Sequence, residues 1–322
     1  SLEGKIRVKQ LQYLKLPVVV APMFLVSGPE LVIASCLAGV IGAFPFPNAR
    51  DIPTLDAWLE QIATALAGAD CAGPMAVNLT THRSYDRLAD EIAVIKNHRP
   101  DIVITALGGP GAVIDTVHNY GGKVIADVNS LAHARKAVAA GVDGLALIAA
   151  GAGGHTGHIA GIPFVSEVRT FFDGLIILAG GIGSGAAIRA AQIAGADLCY
   201  MGTRFIATDE SLASQEYKSM LVQASYEDLV LSDQLTGAKA YYLRQSLIKM
   251  GYNPDNMKAG SGLNLADSQH QIKAWRDVWS AGHGVGTVTA IQPVADIISQ
   301  LEFEYKVAGT SFNESQRSAT YV

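Results

Sequence analysis

Charged, aromatic and cysteine residues are all scarce in this chain of 322 residues. Charged residues make up 16% and aromatics 7%, where about 25% charged is usual for a globular protein. Lys and Arg number 24 against 29 Asp and Glu, a net charge of −5 with no basic stripe. Nucleic-acid binding leaves a clustered positive face, so no nucleic-acid partner is expected. No apolar run approaches the roughly 20 residues that span a bilayer, and no membrane association is expected. The opening residues carry no charged-then-apolar leader pattern, which makes the cytoplasm the expected compartment. Cys36, Cys71 and Cys199 are too scattered for a disulfide or zinc framework and read as buried thiols.

What the chain has instead is apolar residues, at 49%, and 33 glycines. The first excludes intrinsic disorder. The glycines lack a three-residue period, which excludes collagen. Together they fit a parallel α/β protein with a large core and many tight turns.

Short apolar runs suited to buried strands fall at 18–23, 40–46, 75–79, 102–107, 123–128, 145–149, 175–179 and 198–201. Helical spacing follows each, at 28–38, 54–67, 85–98, 112–119, 131–140, 164–172, 186–194 and 212–224. Thr54 is the expected N-cap of the second helix, with Gly39 and Gly68 as helix stops. Eight such pairs, apolar on both strand faces, predict an α/β fold: a (β/α)8 TIM barrel with a small, mainly helical inserted domain. A doubly wound open sheet is disfavoured by the uniform repeat. The expected division is 1–225 plus 286–322 for the barrel and 226–285 for the small domain. The latter is more polar, holds Trp275 and Trp279, and has turn signals at Gly251–Pro254 and Gly260–Gly262. Pro293–Leu301 is read as a final helix, and the polar tail after Ala308 as mobile.

Barrel enzymes carry their chemistry at the C-terminal ends of the strands. The loops after strands 7 and 8 hold Gly180, Gly181, Gly183 and Gly185, then Gly202 and Thr203, each just before a helix. Backbone amides there can cradle a phosphate, or the glycines make turns only. His155, flanked by Gly153, Gly154 and Gly157, is a candidate proton acceptor with an ordinary pKa near neutrality, or a hydrogen-bonded loop residue. His158 follows three residues on, but no third ligand is close by, so no metal is expected. Asn78 suits the polar edge of a ring or an Asx turn; Asp127 reads as a mouth residue or a contact to the next helix start. His283 closes over a ligand or sits in a turn, and Tyr241 and Tyr242 pack or wall a pocket.

Ala21-Pro22-Met23, Asn78-Leu-Thr, Gly153-Gly-His155-Thr-Gly, Ala179-Gly-Gly-Ile-Gly and Met201-Gly-Thr-Arg-Phe resemble the nitronate monooxygenases, formerly 2-nitropropane dioxygenases, over roughly 18–301. Relatives of that family include flavin-dependent enoyl-ACP reductases and NAD(P)H:quinone reductases. The resemblance implies an FMN-binding barrel with a small helical substrate domain. It implies that Ala21, Pro22 and Met23 pack on the flavin, that Asn78 contacts its polar edge, and that Asp127 and Gly154 join the cofactor site. Gly180, Gly181, Gly202 and Thr203 would hold the phosphate, and His158, Tyr242 and His283 would line the substrate pocket. His155 would remove the proton α to a nitro group or donate to a bound nitronate. The chain departs from the family where Ile148–Ala152 replaces a Glu and Gln, and where Asp127 stands in place of a strand-5 Lys.

The function expected from these residues is FMN-dependent oxidation of alkyl nitronates by O2 to a carbonyl compound and nitrite. The alternatives are an NAD(P)H-dependent reductase of a quinone or enoyl thioester, a flavin-binding protein without catalysis, and a phosphate-handling aldolase or isomerase. Expected partners are a small-molecule substrate and O2, with NAD(P)H as reductant in the alternative, and a monomer or homodimer as the working state.

Overall fold

A computed structural model describes residues 11–257 and 276–318. Eight parallel strands close into a barrel: β1 (Val18–Val20), β2 (Ile41–Pro45), β3 (Met75–Thr80), β4 (Ile102–Ala106), β5 (Lys123–Val128), β6 (Gly144–Ile148), β8 (Leu175–Ala179) and β9 (Leu198–Met201). Closure comes from β1, which pairs with β2 on one side and with β9 on the other. β7 (Gly154–His155) lies outside the barrel, in the loop after β6.

Both faces of each strand are buried, which is why the strands read as continuous apolar runs. Val19, Ile41, Ala76, Ile104, Ile125, Ala146, Ile177 and Leu198 fill the interior. Their neighbours Val18, Val20, Val77, Val103, Val124, Leu145, Ile176 and Cys199 turn outward and pack under the helices. That layer consists of α1 (Pro29–Leu37), α2 (Ile52–Leu66), α3 (Leu88–His98), α4 (Ile114–His118), α5 (Leu131–Ala140), α6 (Gly161–Arg169) and α7 (Gly185–Ile193). After β9 come a one-turn α8 (Thr203–Ile206) and then α9 (Gln215–Gln223). Among the described residues no helix is long and apolar enough to cross a membrane.

Several expectations change in detail. The N-cap of α2 is Asp51, whose side chain accepts from the Thr54 amide; Thr54 lies inside the first turn. Cys36 and Cys199 are buried thiols, but Cys71 is exposed. The excursion contains α10 (Arg244–Lys249), and it also contains strands β10 (Leu229–Ser232) and β11 (Ala240–Leu243). They form an antiparallel sheet with β7 in the order β10-β11-β7. The Gly260–Gly262 turn and Trp275 lie outside the described residues. The final helix α11 (Val294–Ser318) runs well past Leu301, so the polar tail expected to be mobile is helical as far as Ser318.

Candidate functional site at the barrel mouth

Alternation along β3, β5 and β9 turns Asn78, Asp127 and Tyr200 into the barrel, one step above Ala76, Ile125 and Leu198. Asn78 Nδ2 donates to Asp127 Oδ2 at 3.4 Å, and the Tyr200 hydroxyl donates to Oδ1 at 3.5 Å. Burial nonetheless pushes the Asp127 carboxyl up to about 7, against the pull of both donors. The start of α5 does not use Asp127, because Ser130 caps it. Asn78 likewise directs its amide to Asp127 instead of making a local turn.

Ala21, Pro22 and Met23 form the adjoining wall, with Ala21 N bonded to Met201 O. Asn48 holds this turn: its Nδ2 donates to Met23 O and Ser27 O, and its Oδ1 accepts from Leu25 N. The sequence reading missed Asn48, whose only signal is its place just after the second apolar run.

Across the mouth, the β8–α7 and β9–α8 loops present backbone donors. The amides of Gly181, Ile182 and Thr203 meet no acceptor among the described residues. Gly180 and Gly181 stand at φ +129° and +69°, a backbone turn that glycine adopts without strain, and with Thr203 the two loops hold a fan of amides unbonded among the described residues. The α7 N-terminus is not part of this fan. Ser184 Oγ takes the Ala187 amide and Glu304 takes that of Gly185. Arg204 is buried beneath the loop, donates to Gly183 O and lies 3.9 Å from Glu304. The fan of free amides over a buried guanidinium suits a phosphate.

His155 sits in β7, opposite Ala240, while Gly154 sits opposite Tyr241. Ser280 Oγ locks that edge by accepting from Gly154 N and donating to Tyr241 O. His155 Nε2 lies 3.0 Å from Thr236 Oγ1. The Thr236 hydroxyl also donates to Ala238 O at 3.2 Å. Burial lowers the His155 pKa to about 4, which keeps the ring neutral at physiological pH. The imidazole lines a cleft of about 350 Å³ shared with His158, Asn129, Leu107 and Lys239. Thr236 and Lys239 had no sequence signal, because the small sheet that places them pairs strands far apart in the chain.

The three expected pocket residues separate. His158 is at the rim of the His155 cleft. His283 lies on the other face of the small sheet, edge-on to the rings of Tyr226 and Tyr241 at 4.9 and 4.7 Å. Its backbone amide donates to Gly151 O, and the preceding Gly282 amide donates to Thr203 Oγ1. A Cβ on Gly151 would come within 2.7 Å of the His283 ring, so the glycine permits this contact. Tyr242 is fully buried in an apolar cluster with Val230, Leu235, Leu247 and Val278 and does not reach the His155 cleft.

The family described as nitronate monooxygenase matches residues 47–304. A nitronate monooxygenase of Paraburkholderia phytofirmans is 27% identical, covering 90% of this chain and 92% of its own. A 5-hydroxy-7a-methyl-1-oxo-octahydro-1H-indene-4-carboxyl-CoA dehydrogenase of Mycobacterium tuberculosis is 29% identical, covering 72% of this chain and 64% of its own. Among solved structures, a FabK variant from Thermotoga maritima superposes with a TM-score of 0.77 at 26% identity, over 96% of this chain and 98% of its own. A nitroalkane oxidase from Streptomyces ansochromogenes gives 0.75 at 24% identity, over 94% and 99%. The chain belongs to the nitronate monooxygenase family, a group of flavin-dependent oxidoreductases.

Proposed function

We propose that this protein is an FMN-dependent nitronate monooxygenase, which oxidises alkyl nitronates with O2 to a carbonyl compound and nitrite. The observation that carries this reading is His155: a neutral histidine in a cleft beside a barrel mouth that also presents a fan of loop amides. Gly180, Gly181, Gly202 and Thr203 would hold the FMN phosphate, with Ala21, Pro22, Met23 and Asn78 against the ring and Gly154 beside it. When bound, FMN supplies the electron transfer between nitronate and O2.

A His155 pKa of about 4 makes the imidazole a weak acceptor for a proton on carbon. It suits a substrate that arrives already deprotonated. An anion entering the cleft raises the pKa of the ring beside it. His155 then takes a proton and donates a hydrogen bond to the nitronate, while Thr236 orients the ring through Nε2. Lys239, which also lines the cleft, favours the same charge. The experiment is turnover: FMN-loaded protein, an alkyl nitronate and air should yield nitrite with O2 uptake, and no nitrite would overturn the reading.

A second reading draws on the similarity to the carboxyl-CoA dehydrogenase: an NAD(P)H-dependent flavin reductase acting on a quinone or an enoyl thioester. Anaerobic bleaching of the bound flavin by NADH or NADPH within turnover time would favour it.

A further inference from the structure

Among the described residues Asp127 has no cationic partner. Among the described residues its side-chain hydrogen bonds come from Asn78 and Tyr200, both uncharged donors. The strands flanking β5 offer it only apolar neighbours: Ala146 of β6 lies across the ladder, and Ile104 of β4 faces the same interior. Ala21, just after β1, and Ala179 of β8 belong to the same interior cluster. Among the described residues, the titratable group facing the carboxyl is the Tyr200 phenol, which stays protonated because burial and Asp127 itself raise it. No fixed charge therefore decides the state of Asp127, and the state of whatever binds at the mouth can.

We propose that Asp127 is a proton acceptor coupled to the oxidation state of the cofactor, taking up a proton when the bound flavin is reduced and releasing it on reoxidation. The inference rests on FMN occupying the mouth as proposed above. Electrons placed on a ring in this enclosure add negative charge to a space that already holds a carboxylate, and like charges in low dielectric favour protonating one of them. The balance is two electrons and two protons per reduction, one proton on the ring and one on an Asp127 oxygen, both from water. The electrons come from the substrate, or from dithionite in the test. A lysine at this place would hold its charge at every working pH. The carboxyl makes acceptance of electrons pH-dependent, and its resting pKa of about 7 sets the lower edge of that dependence.

The test is the midpoint potential of the FMN-loaded protein, measured by spectroelectrochemistry between pH 7 and 8. Two protons per two electrons give a slope of about 59 mV per pH unit, and one proton gives about 30 mV. Wild type is expected to approach the steeper slope and Asp127→Asn the shallower one. A second readout needs no variant. The reduced-minus-oxidised infrared difference spectrum of wild type should gain the carbonyl stretch of a protonated carboxylic acid, and Asp127→Asn should lack it. A wild-type slope near 30 mV without that band, or a slope and band both retained in Asp127→Asn, overturns the proton assignment. A protein that binds no FMN overturns the reading beneath it.

Discussion

Nε2 of His155 meets Oγ1 of Thr236 at 3.0 Å, and the threonine hydroxyl is in turn committed to the Ala238 carbonyl. Thr236 thus orients the ring of the candidate catalytic histidine. Replacing the histidine and replacing its orienting partner should have different costs. His155→Ala is expected to lower kcat/KM for a nitronate by about 10–10², the usual worth of a hydrogen bond to a charged group. Thr236→Val removes one hydrogen bond, worth about 1 kcal/mol, and should cost about fivefold. FMN affinity, measured by fluorescence quenching, should be unchanged in both.

The pH profile follows from burial. With its pKa lowered to about 4, His155 is neutral in the free protein throughout the physiological range. In Asp127→Asn, where the carboxyl that titrates near 7 is removed, the kcat/KM profile should therefore lack a break near the ordinary histidine value of about 6.5. Binding of an anionic inhibitor should take up a proton, so calorimetric enthalpies at pH 7 should differ between buffers in proportion to their ionisation enthalpies. Equal enthalpies in all buffers would show that the ring stays neutral in the complex.

Asp127 and His155 pull stability in opposite directions as pH changes. The folded Asp127 holds its proton up to about pH 7, against an ordinary value of 3.8, so its contribution is complete below about 4 and is lost as pH rises through 7. The loss is on the order of 4 kcal/mol. The folded His155 binds its proton only near 4, so its contribution is complete above about 6.5 and is lost as pH falls toward 4. Asp127→Asn should therefore gain stability relative to wild type at pH 8 and much less at pH 5. Urea denaturation of the cofactor-free protein at the two pH values checks this.

The barrel was legible from residues such as Val18–Val20 and Leu175–Ala179, because burial on both faces writes an unbroken apolar run. Gly180, Gly181 and His155 were legible because glycine clusters at strand ends are unusual. Other features were not. β7 is two residues long and finds β11 some 80 residues away, and no periodicity marks a pairing of that kind. Without that register, Tyr241 and Tyr242 are interchangeable neighbours; with it, Tyr241 faces His283 and Tyr242 enters the core. The α7 N-terminus could be read as an anion site until tertiary contact put Glu304 there. Asp51 displaced Thr54 as the cap of α2 because its carboxylate reaches the Thr54 amide, a choice that depends on where the first turn begins.

The loop fan gives its own prediction. Gly181 has room for a methyl group, whose nearest neighbour would be His283 Cβ at 3.5 Å, but its φ of +69° penalises any side chain. The cost of holding alanine there is about 1–2 kcal/mol, and relief of that strain would turn the amides away from the phosphate. Gly181→Ala should weaken FMN binding at least tenfold, by equilibrium dialysis, while binding of riboflavin, which lacks the phosphate, changes little. Equal losses for both ligands would place the phosphate elsewhere.

The central claim is that the barrel mouth and His155 together oxidise a nitronate. Its most direct measurement is simultaneous O2 consumption and nitrite release by FMN-loaded protein given an alkyl nitronate in air, with the parent nitroalkane at a pH where it stays neutral as the comparison. The account predicts rapid O2 uptake and nitrite with the nitronate, slow turnover with the neutral nitroalkane, and loss of both in His155→Ala. FMN-loaded wild type that consumes no O2 and forms no nitrite with the nitronate would contradict it.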